Sequence, residues 1–258
     1  RKITYFQAAD ERDEARFVIE KTQELQDKEN IQLGDVAVLY RTNPQSRVFE
    51  EMLVKSGIPY NIVGGTKFYD RKEIKDIIAY LRVIFNPNDG LSLLRIINVP
   101  RRGIGDATLA KLEAFAAEND MSLFDVVSNS SQLPGLSSRF VNKLDELAST
   151  IFDLIAKAQE VPVKELIDDV MTKTGYLEEL QLSRSPQDQS RIDNLQELLS
   201  VAEDFAKSGE EDTLENFLAH VALVSDIDSA ELGEQAVTLM TLHSAKGLEF
   251  PVVFLVGM

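Results

Sequence analysis

The sequence predicts an α/β protein in which a parallel sheet is begun, interrupted by a large all-helical insertion, and then resumed. Three observations predict it. The first third alternates short apolar runs with helical periodicities, the pattern of parallel strands whose crossover helices cover the sheet. From Leu91 to His220 helical periodicities follow one another with no convincing strand. Residues 237–241 and 252–256 then bring back β-branched and apolar runs of the kind found in strands buried on both faces. Buried-type strands at both ends of a chain need common neighbours, so residues 1–88 and 236–258 are expected to share one sheet, with 89–235 as the inserted helical domain.

Within the first part, residues 3–8, 35–40 and 60–63 read as strands. Residues 11–26 and 45–56 place apolar side chains at helical spacing, and Gly57 ends the second of these helices with Pro59 unable to continue it. Residues 71–85 make a third helix, closed by Asn86-Pro87-Asn88-Asp89-Gly90. In the helical part, breaks fall at 101–105, near Pro134-Gly135, at Pro162, around Gly175 and over 183–189.

The 258 residues, 44% of them hydrophobic, are ample for real cores. No run approaches the roughly 20 apolar residues that a bilayer span needs, so no membrane partner is expected. The absence of cysteine excludes disulfides and thiolate metal sites, and two histidines, His220 and His243, make a metal centre an unattractive reading. A reducing, cytoplasmic setting fits. A formal charge of -16 argues at first against nucleic acid. Residues 112–234, however, hold 26 Asp/Glu against 8 Lys/Arg, leaving 17 acids and 19 bases for everything else. The acidity belongs to one region, and basic patches survive around Arg41 to Lys72 and Arg95 to Lys111. The acidic helices read first as solvated faces around a helical core, and second as surfaces that repel DNA and receive protein partners. His220, at helical spacing with Phe217, reads as structural.

Four segments bear on chemistry. The stretch from Val237 to Gly257 runs strand, polar turn, strand. Parallel sheets bind ligands outside the carboxyl ends of their strands, which puts Thr241, His243, Lys246, Gly247 and Glu249 where a site would be built. On spacing alone, a plain α/β connection is an equal reading. Arg41-Thr-Asn-Pro-Gln-Ser-Arg47 places cations and amides between a strand's carboxyl edge and a helix start, both favourable to phosphate. An ordinary helix start with solvated arginines is the stronger reading on local grounds. Gly64-Gly65-Thr66-Lys67 lacks the G-x-x-x-x-G-K-[ST] spacing that wraps a triphosphate and is no nucleotide loop. Just beyond it, Phe68 offers either a stacking face or core, and Arg71 either a phosphate contact or a partner for an acidic neighbour. Finally, Val99-Pro-Arg-Arg-Gly-Ile-Gly-Asp-Ala-Thr-Leu109 joins two helices through Gly103-Ile104-Gly105. Glycines let backbone approach a phosphate and the next helix aims free amides at the same spot, although Gly-x-Gly alone is more often a tight turn.

Read together, these strings resemble the superfamily 1 DNA helicases of the UvrD/PcrA/Rep kind. The segment from Val237 to Gly257 resembles that family's motif V almost residue for residue, and Tyr40 to Arg47 resembles its Tyr-Arg-Thr/Ser-Asn-x-Gln-Ser-Arg signature. Ile58 to Asp76 resembles an element that touches the single strand, and Pro100 to Gly105 matches the Pro-x-Arg-Gly-Ile-Gly element of the inserted domain. The resemblance covers the whole chain, with residues 112–234 agreeing mainly in length and helical character. It implies part of the second RecA-like motor domain interrupted by its duplex-binding and regulatory insertion. It also implies the function of a 3′ to 5′ ATP-dependent DNA helicase of repair or replication. By that resemblance Glu249, in the turn that Lys246 and Gly247 shape, serves ATP. Arg41, Asn43, Arg47, Phe68, Arg71, Thr241 and His243 face single-stranded DNA, and Arg101, Arg102, Gly103, Ile104, Gly105 and Thr108 face the duplex. ATP and Mg2+ are the cofactors of the full-length protein. Single strands, single-strand/duplex junctions, and repair or replication proteins at the helical domain are its partners.

The chain contains no phosphate-loop lysine, no magnesium-binding acidic pair and no later arginine-rich motif. It is therefore expected neither to hydrolyse ATP nor to unwind DNA by itself, and to hold no cofactor. Arg1 just before an expected strand and Met258 just after one read as the ends of an excised fragment. Two other readings stay open. A helicase-nuclease subunit would share the Val237 to Gly257 motif and carry its nuclease carboxylates elsewhere, and a non-catalytic module would bind only DNA or protein.

Overall fold

A computed structural model describes residues 3–183, 185–229 and 235–258. The chain divides into two compact units, Arg1–Arg71 with Ala222–Met258, and Lys72–Val221.

The first unit is built on four parallel strands, β1 (Val36–Tyr40), β2 (Tyr60–Val63), β3 (Val237–Thr241) and β4 (Val252–Leu255), in the order β2-β3-β1-β4. The expected common sheet is present: β1 lies between β3 and β4, with Tyr40 opposite Thr241 and Leu39 opposite Leu255. On β3's other side, Val63 stands opposite Met240. This register brings the carboxyl ends of all four strands to one edge. Two helices cover one face, α1 (Glu11–Glu29) and α2 (Ser46–Lys55). Ala15, Val18 and Ile19 from α1 and Val48, Phe49 and Leu53 from α2 join Val36, Val38, Tyr40, Tyr60, Val237 and Leu239 in one core. The α1 stripe follows the helical repeat over Ala15, Val18, Ile19, Thr22 and Leu25. Asp10 caps this helix by accepting from the Asp13 amide at 2.8 Å, and Asn30 ends it in the left-handed region. Gly57 terminates α2 at φ 64°, as its sequence predicts.

The strand expected over residues 3–8 does not form. Those residues adopt no regular structure, and Ile3 and Tyr5 are 99% and 86% exposed. The run carries the strand formers Ile3, Thr4, Tyr5 and Phe6, but residues 3–8 make no ladder with β4. Only Phe6 finds a firm partner, stacking on Phe17 with ring centroids 4.1 Å apart. The segment, the first turns of α1 and residues 253–258, which run from β4 past its end, line an open groove of about 660 Å³.

The second unit is all-helical among its described residues. It comprises α3 (Lys72–Phe85), α4 (Gly90–Ile96), α5 (Asp106–Asn119), α6 (Leu123–Ser128), α7 (Ser138–Lys157), α8 (Val163–Lys173), α9 (Tyr176–Ser183), α10 (Pro186–Ala206) and the first half of α11 (Leu214–Ser229). Helix α3 packs on α4, α7, α8 and α10 and is the axis of this unit. It is buried nearly all round, as a helix with Ile74, Ile77, Ile78, Leu81, Val83 and Ile84 should be. Two carboxylates lie in that apolar setting. Asp76 accepts from the Tyr176 hydroxyl at 2.9 Å and pairs with Arg95 at 2.7 Å. Glu73 accepts from the Asn194 amide, with Arg191 at 3.9 Å. These bonds fix α4, α9 and α10 around α3 at defined rotations, where apolar contact alone would allow sliding. Burial and the Asp76 carboxylate push the Tyr176 hydroxyl well above its ordinary ionisation range, so it stays a donor. Asp76→Ala would strand that buried hydroxyl and unpair Arg95. It is expected to lower stability by about 2 kcal/mol, read as a shift of the urea midpoint of the chain; a shift corresponding to under about 0.5 kcal/mol would show the network to be dispensable.

Candidate nucleic-acid and nucleotide interface

The loops at the carboxyl edge of the sheet gather most of the residues expected to carry chemistry. After β1, the chain from Arg41 turns through Asn43-Pro44-Gln45 into α2. Gln45 holds this turn: its side-chain oxygen accepts from the Arg41 and Thr42 amides at 2.9 and 3.0 Å. Its amide nitrogen donates to the Gly257 carbonyl at 3.4 Å, just past β4. After β3, residues 242–247 form a succession of turns. The Thr241 hydroxyl accepts from the Ser244 amide at 3.2 Å and lies 3.0 Å from the Ser244 hydroxyl, and Gly247 adopts φ 86°. The loop after β2 reaches the same place. Gly64 adopts φ 75°, and a Cβ there would stand 2.6 Å from the Ser244 hydroxyl, so only glycine permits this approach.

Exposure sorts the expected contacts into two sets. Arg41, His243, Lys246, Gly247 and Glu249 are exposed, and Asn43 and Thr241 are partly so. Arg47, Phe68 and Arg71, expected to face the single strand, are instead buried at 1%, 1% and 5% exposure. Their burial has a cause in Glu50, itself 3% exposed on α2. Its carboxylate pairs with Arg71 at 3.5 Å and accepts from the Ser46 hydroxyl, the Phe68 amide at 2.9 Å and the Tyr60 hydroxyl at 3.4 Å. Arg71 in turn donates to the Asn43 carbonyl at 3.0 Å, the Ser46 hydroxyl at 2.9 Å and the Thr66 carbonyl at 3.4 Å, with its guanidinium over the Phe68 ring. Arg47 pairs with Glu51 at 3.0 Å. The three residues thus form the support of the loops. Arg71 ties the turn after β1 to the turn after β2, and Phe68 is core. Sequence reasoning held both options open for Phe68 and Arg71 but passed over Gln45 and Glu50. The Gln at the third position after a capping Thr42 was the available signal for Gln45. Burial and the Glu50 charge also push the Tyr40 hydroxyl up to about 12, so it remains neutral beside this network.

In the second unit, the segment between α4 and α5 forms a tight hairpin. Gly103 adopts φ 78°, Ile104 is buried at 1%, and Arg101, Gly103 and Gly105 are exposed, with Thr108 partly so. Helix α5 starts at Asp106 with Gly105 as its N-cap and no side-chain acceptor for its first amides. Arg102, expected to meet the duplex, turns inward. Its guanidinium donates to the carbonyls of Ile96 at 3.0 Å and Ile97 at 3.3 Å, and to the Tyr80 hydroxyl at 2.7 Å. Among the described residues, no group of His, Asp and Glu could hold a metal ion, and no helix is long and apolar enough to cross a membrane.

The UvrD-like helicase C-terminal domain model matches residues 1–258. The chain belongs to that family. It is 46% identical over 263 residues to the ATP-dependent DNA helicase PcrA of Bacillus subtilis, covering all of this chain and 36% of that protein. The PcrA proteins of Staphylococcus epidermidis and Staphylococcus aureus are each 46% identical over 259 residues, with 35% of their length covered. The chain thus spans about a third of the length of these relatives. As a UvrD-like helicase C-terminal domain it is α/β, a RecA-like parallel sheet with a helical insertion.

The buried pair yields a sharp expectation. Glu50→Ala and Arg71→Ala each remove the opposite charge from a buried one, costing about 3 kcal/mol, whereas Glu50→Gln with Arg71→Met should cost less than the sum of the corresponding single changes. Urea unfolding of the parent, Glu50→Gln, Arg71→Met and the double variant closes the cycle; additive losses would mean that the two side chains do not act as a unit.

Proposed function

We propose that this chain is part of an ATP-dependent DNA helicase, a motor that tracks along one strand in the 3′ to 5′ direction and opens duplexes in DNA repair or replication. The observation that carries the reading is the convergence of the turns after β1, β2 and β3 at one sheet edge. The turns after β1 and β3 carry Arg41 and His243, which are exposed, and Asn43 and Thr241, which are partly so: a cation, an imidazole, an amide and a hydroxyl at one edge. Such groups suit a nucleic-acid backbone, which is gripped by charge and hydrogen bonds without regard to sequence. Glu249, exposed in the β3–β4 connection, suits the hydroxyls of a ribose, and Gly247 at φ 86° permits the turn that presents it. Arg47, Phe68 and Arg71 support this surface from beneath. In the second unit, the hairpin at Gly103-Ile104-Gly105 takes duplex backbone through exposed amides and Arg101, with Thr108 beside it.

ATP fits the carboxylate and turn at Glu249 only through its sugar. The groups that bind magnesium and the phosphates would come from elsewhere in the full-length polypeptide, and they would supply the hydrolysis. The 258-residue chain alone is therefore expected to show no DNA-stimulated ATP turnover. Single strands and junctions are the nucleic-acid partners of this reading, repair or replication proteins fit the acidic helical unit, and the setting is cytoplasmic.

In the full-length protein, Glu249→Ala should raise the KM for ATP by about tenfold with a smaller loss in kcat, because a ribose contact is held equally in ground and transition states. Steady-state ATPase assays at saturating single-stranded DNA read this directly. A collapsed kcat at unchanged KM would give Glu249 a different role.

A further inference from the structure

The hairpin between α4 and α5 contains two adjacent arginines, and the structure puts them to opposite uses. Arg101 is exposed, and its amide donates to Glu179 at 2.9 Å. Arg102 is half-buried, and its planar fork is spent inside the molecule. One amino group donates to the Ile96 and Ile97 carbonyls, the last turn of α4, with the Pro100 carbonyl at 3.4 Å; the other donates to the Tyr80 hydroxyl. Tyr80 is fully buried on α3, and its hydroxyl donates in turn to the Val99 carbonyl. Asn98 completes the set: its side-chain oxygen accepts from the Arg102 amide at 2.9 Å and the Ile104 amide at 3.2 Å, the two amides that flank Gly103. Apart from the Pro100 contact, these bonds tie the hairpin to the end of α4 and to Tyr80 on α3, and all of them are partly buried. Asn98 thus takes up two inward amides and leaves Gly103 and Gly105 outward.

We infer that Asn98, Tyr80 and Arg102 are positioning residues that hold the Gly103-Ile104-Gly105 hairpin in the shape that meets duplex backbone, with Arg101 and the exposed backbone making the contact. The inference rests on the reading of that hairpin as a duplex contact. It departs from the expectation that both arginines bind phosphate, and it follows from geometry: a guanidinium whose two amino groups are bonded to two successive helix-end carbonyls and to a buried hydroxyl is held turned into the molecule. A lysine in its place would keep the charge but, as a point donor, could not span those acceptors.

Charge and shape are therefore separable by experiment. Fluorescently labelled duplex with a single-stranded tail is titrated with the chain at several salt concentrations, and hydrogen exchange is followed in peptides covering residues 98–105 without DNA. Arg101→Ala is expected to lower affinity and flatten the salt dependence by about 0.9 in the log-log slope, one phosphate's worth, while leaving exchange unchanged. Arg102→Lys and Asn98→Ala should weaken binding by about fivefold, a lost hydrogen-bonding role of about 1 kcal/mol, at unchanged slope, and should speed exchange in the hairpin. Tyr80→Phe deletes one hydroxyl from a ring that stays buried and should behave alike but more mildly, so the test survives if a stronger variant folds poorly. If Arg102→Lys binds as the parent does while Arg102→Ala flattens the slope, Arg102 is a phosphate contact and the inference is overturned. Unchanged exchange in all three positioning variants overturns it without reference to DNA. If instead exchange speeds up as expected, but Arg101→Ala and Gly105→Val leave affinity and slope untouched, the hairpin is positioned but is not the duplex contact, and the reading beneath the inference falls.

Discussion

Glu50 and Arg71 are opposite charges placed where neither could remain alone. Both lie at about 5% exposure or less, and an isolated charge at such depth would cost several kcal/mol. What makes the pair tolerable is that each also satisfies backbone and hydroxyl groups: Glu50 takes the Phe68 amide and the Tyr60 and Ser46 hydroxyls, and Arg71 takes the carbonyls of Asn43 and Thr66. The loops after β1 and β2 have few apolar residues with which to pack. Their positions are set by hydrogen bonds to this one pair, and the exposed Arg41 and Asn43 stand where they do because of what lies beneath them.

Much of the fold could be read from the sequence because burial on both faces leaves a strong mark. The runs at 36–40 and 237–241 are apolar and β-branched and are buried as expected, whereas 252–255 has the same wording but only one covered face, with Val253 and Leu255 46% and 54% exposed. The helix at 72–85 was equally plain, bounded by Phe85 and the Asn-Pro that follows. Residues 3–8 misled because strand-forming side chains say nothing of whether a neighbouring strand is there to pair with them. The extent of the helical unit was also hard to see: α3 continues the α/β rhythm of the first third, yet its burial is supplied by α4, α7, α8 and α10. A helix declares its apolar faces, and the partner that covers them lies a hundred residues away.

The candidate site divides along a similar line. Residue types and local wording pointed to segments that follow β1 and β3, so that Arg41, Thr241 and His243 stand at the carboxyl edge that a parallel sheet offers to ligands, with Glu249 further along the β3–β4 connection. They could not tell which cations face outward. Arg41 and Arg101 are exposed, whereas Arg47, Arg71 and Arg102 point at carboxylates or carbonyls. An arginine's long stem and five donors serve either end equally well, so its direction is decided by distant acceptors such as Glu50 or the end of α4. In both units, therefore, an inward-turned arginine organises a loop and an exposed one is left at its rim.

The approach of Gly64 to Ser244 joins two turns that stand on opposite sides of the helical unit in the sequence. Any side chain at 64 would have to displace the Ser244 hydroxyl from its place beside Thr241, and the positive φ would penalise it further. The two positions are consequently epistatic in a directional way. Position 244 can lose its hydroxyl and free a little space, but position 64 gains almost nothing from it, because its backbone still asks for glycine. Among descendants of this sequence, drift is expected first at Ser244, with Gly64 held fixed by conformation long after its neighbour has changed.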